Sequence, residues 1–154
     1  MKVCIQYCHG TCNPVTSAAR LACYLVAENT LCPDRIDLGC GPALEAGVPE
    51  DAAFIERDAV IAVECCQEAC ATKLLERYGA TIARQVFVQH VLQEAGLDWV
   101  DNDHFDFHLD HPVVLALAEV ITAAAREVLS GENFPCLAED EDTGPENNAS
   151  PPAT

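Results

Sequence analysis

The sequence predicts an α/β fold, a small three-layer α-β-α sandwich built on a mainly parallel four-stranded sheet. Apolar runs of strand length recur between helical stretches, and Ala59-Val60-Ile61-Ala62-Val63 is the clearest of them. Unbroken apolar runs are how strands buried on both faces read. Strand-like and helix-like segments alternate, the pattern of parallel crossover units. Right-handed crossovers that cover both faces of the central strands then give the order 2-1-3-4.

Each element has its own signal. Val3-Cys4-Ile5-Gln6-Tyr7 is the first strand, and Cys8-His9-Gly10-Thr11-Cys12 is the small-residue turn after it. Asn13 as N-cap and Pro14 as first helical residue open a helix. It runs to about Glu28, with Ala18, Leu21, Ala22 and Leu25 on one face. Arg35-Ile36-Asp37-Leu38 reads as a short second strand that stops at the turn Gly39-Cys40-Gly41-Pro42. A helix beginning near Pro49 covers Asp51 to Glu56, and the central strand follows it. The next helix is expected from about Gln67 to Tyr78, with Gly79 as its stop. Arg84 to Gln89 is the fourth strand, ended by His90. Pro112 opens a long helix, capped by Asp110 and closed after Ser130 by Gly131. One domain is expected over residues 1–133. Residues 134–154, rich in Glu, Asp, Asn, Pro and Ala, form an acidic tail too poor in apolar surface to order itself.

The chain has 154 residues, half of them hydrophobic, enough for one core without disulfide staples. A net charge of −17 opposes binding to nucleic acid and to anionic membranes, and it raises the local concentration of cations. No apolar stretch approaches the length of a membrane span. Strand-like sequence begins at Lys2 with no signal-peptide pattern, so a cytoplasmic location is expected. In that reducing compartment ten cysteines point to metal or redox chemistry more than to disulfides.

The cysteines fall into a pattern. Cys8 and Cys12 follow the first strand, Cys40 the second, and Cys65, Cys66 and Cys70 the third. In a parallel sheet those turns open on one edge, where α/β proteins bind ligands. His90 after the fourth strand joins the same edge, and Glu64 adds a carboxylate. Two of the turns feed helix N-termini, where partial positive charge favours thiolates. Thiolates are the ligands of tetrahedral zinc and also of iron–sulfur clusters. Cys4 on a strand and Cys23 within a helix read instead as small core hydrophobes. Cys136, in the tail, is assigned no role.

From Lys2 to about Tyr78 these residues resemble the DGC-domain family, small proteins to which zinc binding is ascribed. The family pattern of Cys-x-Gly after the first strand is matched by Cys8-His9-Gly10. Its second-strand cysteine is matched best by Cys40 and less well by Cys32. Its signature of Asp-Gly-Cys, three residues and Cys corresponds to Glu64-Cys65-Cys66 and Cys70. Glu64 thus stands for the Asp, and Cys65 for a Gly. The resemblance implies zinc held by Cys8, Cys40, Cys66 and Cys70; the shared sheet edge adds Cys12, Cys65, Glu64 and His90 as secondary candidates.

Other readings stay open. Cys65 with Cys66, or Cys66 with Cys70, could cycle between dithiol and disulfide or carry a persulfide. An iron–sulfur cluster would use the same thiolates. His104, His108 and His111 have spacings that suit a metal site, with Asp residues between them. Against this, Phe105, Phe107 and Leu109 alternate with polar residues, which fits an extended segment with its acids in water. No Gly-rich phosphate loop and no Gly-x-Ser-x-Gly elbow occurs. A closed four-cysteine site offers neither an open metal position nor a general base. The expected role is therefore zinc storage, sensing or delivery; an enzyme built on these residues would do thiol redox or metal-dependent chemistry.

Overall fold

A computed structural model describes residues 2–10, 14–29, 33–97 and 108–130. Cys12, Asn13, Cys32, His104, Gly131, Cys136 and the acidic tail lie outside the described residues. Four strands, β1 (Val3–Tyr7), β2 (Ile36–Gly39), β3 (Ala59–Glu64) and β4 (Ile82–Phe87), form one sheet in the order β2-β1-β3-β4. All three pairings are parallel, as the alternating pattern predicts. The register runs from Val3↔Ala59 to Tyr7↔Val63 between the two central strands. Among the described residues the helices are α1 (Pro14–Asn29), α2 (Gly41–Glu45), α3 (Pro49–Arg57), α4 (Cys70–Arg77), α5 (Val88–Glu94) and α6 (Pro112–Leu129). None of them is long and apolar enough to cross a membrane.

The period-two alternation of strand side chains divides the core into two layers. Val3, Ile5, Tyr7, Ile61 and Val63 pack with α1, α5 and α6 through residues such as Val26, Leu92 and Leu117. Cys4, Val60 and Ala62 face the other way, against Leu44 of α2, Ile55 of α3 and Leu75 of α4. Cys4 is a packing thiol: burial, aided by the charges of Asp58 and Asp37, pushes its pKa up to about 12. Cys23 is fully enclosed, and burial pushes its thiol up as well.

Several elements differ in detail from their sequence signals. The buried stripe of α1 is Ala18, Ala19, Ala22, Cys23 and Val26, with Leu21 and Leu25 only partly covered. Small residues there let α1 lie close to both the sheet and α6. Gly41 and Pro42 begin α2 and do not merely form a turn, because proline's fixed φ suits a first helical turn. A side chain at Gly41 would place its Cβ 3.0 Å from Leu74 Cδ2, so glycine allows α2 to approach α4. Gln67 and Glu68 form a turn, and α4 starts only at Cys70.

β4 begins and ends earlier than its apolar residues suggest, and Val88, Gln89 and His90 belong to α5. Arg84 and Gln85 are exposed on this edge strand, which weakens its pattern, while Val88 is buried as the first residue of the helix. The cap of α6 is His111, not Asp110: its Nδ1 accepts the Val113 N–H at 3.2 Å. Leu109 sits in the preceding turn and is exposed.

The amino edge of the sheet is closed by ion pairs. Lys2 reaches Asp37 at 3.3 Å, and Arg57 reaches Asp37 at 2.8 Å and Asp58 at 2.7 Å. Burial alone would raise the pKa of Asp58, but hydrogen bonding and charge from Arg57 outweigh it and lower the value. Stability from this carboxylate is thus complete above the ordinary carboxylate range and is lost as pH falls through the depressed folded value. Asp58→Asn should reduce the acid dependence of thermal unfolding, read as Tm over a pH series beside the unsubstituted protein.

Candidate functional site

The carboxyl edge is built around the end of β3. Glu64 is only 1 % exposed, and its carboxylate accepts two backbone N–H groups of α4: Ala71 at 3.2 Å and Thr72 at 2.6 Å. The N-cap position of that helix is Ala69, which has no side-chain oxygen to offer. Glu64 therefore caps the helix from the neighbouring strand. The residues between form a tight turn in which the Ala69 N–H bonds to Cys66 O at 3.2 Å. Ala69 itself is left-handed, with φ 49° and ψ 52°, a conformation that costs a residue with a Cβ about 1–2 kcal/mol. Each Glu64 oxygen, expected as a secondary ligand, accepts one of these amides.

Cys8 lies just past the end of β1 and is tied to β3 by its N–H, which bonds to Val63 O at 2.9 Å. Its thiol meets that of Cys65, and the two residues are 7 % and 2 % exposed. The Cys65 S–H donates to the Cys8 sulfur. Backbone N–H groups of Gly10 and Cys65 assist, and together they outweigh burial and lower the Cys8 pKa to about 6. Cys65 moves strongly upward, first because it holds its proton for Cys8 and then because it is buried; a hydrogen bond from Thr16 opposes this only in part. The two opposite shifts favour the thiolate on Cys8 and the thiol on Cys65.

A cleft of about 470 Å³ opens beside Cys8, between β1, α2 and α4. Gln6, Cys8, His9, Pro42, Cys70 and Leu74 are among its walls. His9 stacks on Tyr7 with centroids 4.3 Å apart, and burial lowers its pKa, which favours the neutral imidazole. Cys70 is exposed at the start of α4. Burial, followed by the charges of Cys8, Cys66 and Glu64, raises its pKa, so these thiols act on one another through space. Cys66 is half-buried in the turn. Lys73 and Arg77 on the rim are paired with Glu68 and Glu45.

The thiols expected at this edge are not equally placed. Cys8, Cys65, Cys66 and Cys70 gather at the ends of β1 and β3. Cys40 follows β2 on the same edge, but it is exposed and is not part of the cleft wall; its N–H bonds to Asp51 Oδ1 at 2.8 Å. His90 is exposed beside Phe87, with ring centroids 5.4 Å apart, and is also absent from the cleft wall. Among the described residues no three His, Cys, Asp or Glu side chains stand close enough together to hold an ion. Sequence reasoning missed Gln6, Thr16 and the rim cations. The period-two pattern, which turns Gln6 toward α2 and α4, was the signal available for the first.

This is an α/β domain with a thiolate–thiol pair at the carboxyl edge of its central strands. The sequence model of the DGC domain matches residues 4–108, and the chain belongs to that family. The match continues past Tyr78 through β4 and α5. No curated protein and no solved structure is significantly similar to the chain. Cys65, at the glycine of the family signature, does not have a positive φ, so a side chain there adds no backbone strain.

Two outcomes follow from this geometry. Glu64→Ala should orphan the two amides and destabilise the domain by about 2–3 kcal/mol, and Glu64→Gln by less, because an acceptor remains. Denaturant unfolding of both variants measures the difference. Alkylation of Cys8 should rise through about pH 6 and level off above it, since only the thiolate reacts. Cys65→Ala should move that midpoint upward by removing the S–H donor. Peptide mass spectrometry over a pH series reads both curves.

Proposed function

We propose that this protein binds a transition metal, most naturally zinc, through thiolates at the carboxyl edge of the sheet, and that it stores, senses or delivers the ion. The observation that carries this reading is the placement of Cys8, Cys66 and Cys70 along one edge, on turns that the parallel pairing of β1 and β3 brings side by side and where their charges act on one another. The chemistry of the donors suits the ion: sulfur ligands, one of them readily ionised, select soft or borderline cations. Cys66 and Cys70 are not locked by burial, so their side chains can close on an ion beside Cys8. Cys40 is the fourth candidate, from the neighbouring strand; Cys12 remains a further candidate outside the described residues. An iron–sulfur cluster would draw on the same donors. The strongly acidic chain would also concentrate cations around the site.

A second reading rests on the contact between Cys8 and Cys65. A small-molecule disulfide could accept two electrons from this pair: the Cys8 thiolate attacks one of its sulfurs and expels the first small thiolate, which takes the Cys65 proton; the Cys65 sulfur then attacks the Cys8 sulfur of the mixed disulfide and expels the second small thiolate. The products are a Cys8–Cys65 disulfide and two reduced small thiols. In this reading Cys8 and Cys65 are the redox pair, beside the Cys65–Cys66 and Cys66–Cys70 pairs that the sequence suggests.

Metal and sulfide content after anaerobic purification separates these readings. Zinc without sulfide supports the first, and a coloured protein containing sulfide supports a cluster. Cys66→Ser, Cys70→Ser and Cys8→Ser should each lower zinc content at least tenfold, because a hydroxyl stays protonated at neutral pH. Cys23→Ser should keep its zinc and lose only modest stability. Equal zinc loss in all four variants, with parallel falls in Tm, would make metal binding a mere reporter of folding.

A further inference from the structure

A second, smaller pocket lies on the other side of Cys8, against α1. Its volume is about 290 Å³, and Tyr7, Cys8, Thr16, Ser17, Arg20 and Tyr24 are among its walls. That is at the lower end of ligand pockets and suits a molecule of amino-acid size. Its polar groups are hydroxyls, one guanidinium and the His9 imidazole.

Arg20 distinguishes this pocket from the larger cleft. The cations on that cleft, Lys73 and Arg77, are already paired with glutamates. Arg20 has neither an ion-pair nor a hydrogen-bond partner among the described residues, although its charge acts on Tyr7 and His9. In a chain of net charge −17, a cation that faces a pocket and has no partner among the described residues is set against the prevailing field. The Thr16 hydroxyl is engaged with Cys65 and the Tyr24 hydroxyl with that of Tyr7, which leaves Ser17 as the neighbouring hydroxyl on the pocket wall. A guanidinium presents a planar fork that matches a carboxylate with two hydrogen bonds.

We infer that Arg20 and Ser17 form a recognition pocket for a small organic carboxylate, held so that its other end faces the Cys8 sulfur. The pocket would let this protein choose among small thiol-reactive or thiol-bound molecules by their charge, whatever Cys8 does next.

Two alkylating reagents of nearly equal size test the idea on the full-length, metal-free protein. With iodoacetate and with iodoacetamide alike, the Cys8 thiolate forms a sulfur–carbon bond and expels iodide. The reagents differ in the carboxylate, and their rate ratio cancels the thiolate fraction of Cys8. Peptide mass spectrometry should show the iodoacetate-to-iodoacetamide ratio at Cys8 falling about threefold in Arg20→Gln, the scale of an exposed ion pair. Arg20→Lys should keep more than half of the preference, and the ratio at Cys40 should not move. An unchanged ratio in Arg20→Gln overturns the proposal. So does an equal fall at Cys40, an equal loss in Arg20→Lys, or a Cys8 that neither reagent reaches. Because no metal is present, none of these results depends on zinc binding.

Discussion

The hydrogen bonds from Ala71 and Thr72 to the buried carboxylate of Glu64 fix the geometry of the whole carboxyl edge. They join the end of the central strand to the start of α4, and every residue between has to fit the span. Cys65 and Cys66 are presented on that short turn, and Cys70 opens the helix it leads to. A carboxylate in this position also complements the positive end of the helix dipole. The acid of the signature thus has a complete structural explanation, and no metal is needed to account for it. Its extra methylene relative to aspartate lengthens the reach from β3 to the helix amides.

Much of the fold could be read from the residues because its determinants are local. The apolar run at β3, the proline starts of α1, α3 and α6, and the alternation of strands and helices all follow from short-range rules. The strand order followed from handedness and from the need to cover two faces. What escaped was decided by tertiary contacts. Gly39-Cys40-Gly41-Pro42 reads equally as a turn or as a helix start, and the need for glycine at 41 shows only when Leu74 is seen to approach it. Asp110 is as good a cap by composition as His111, and only the turn geometry chooses between them. The site was legible to the level of which turns share an edge, since strand direction alone sets that. That Cys65 pairs with Cys8 depends on where two side chains meet across β1 and β3, which periodicity does not encode.

The substitution of Cys65 for glycine in the signature changes the character of the site. A glycine there would leave Cys8 with only backbone donors. The added thiol donates a side-chain hydrogen bond, so an ionised sulfur is sustained in a place that burial alone would make unfavourable. Tyr7 and His9, stacked beside it, line both neighbouring pockets and separate them. One sulfur therefore faces two unlike environments: a mainly apolar cleft toward α4 and a hydroxyl-rich pocket toward α1.

The parallel pairing of β1 with β3 has a consequence for how the protein comes into being. Between Val3 and Ala59 lie β2, α1, α2 and α3, so the two central strands meet only after Glu64, at the end of β3, has been made. Such long-range pairing is slow, because a large loop must close before any contact rewards it. Until then Cys8 lacks both Cys65 and the β3 carbonyl that later holds it, and it has the chemistry of an ordinary thiol. The reactive sulfur thus exists only once β1 and β3 have paired. A nascent chain carries its thiols unactivated, and their reactivity appears together with the finished sheet.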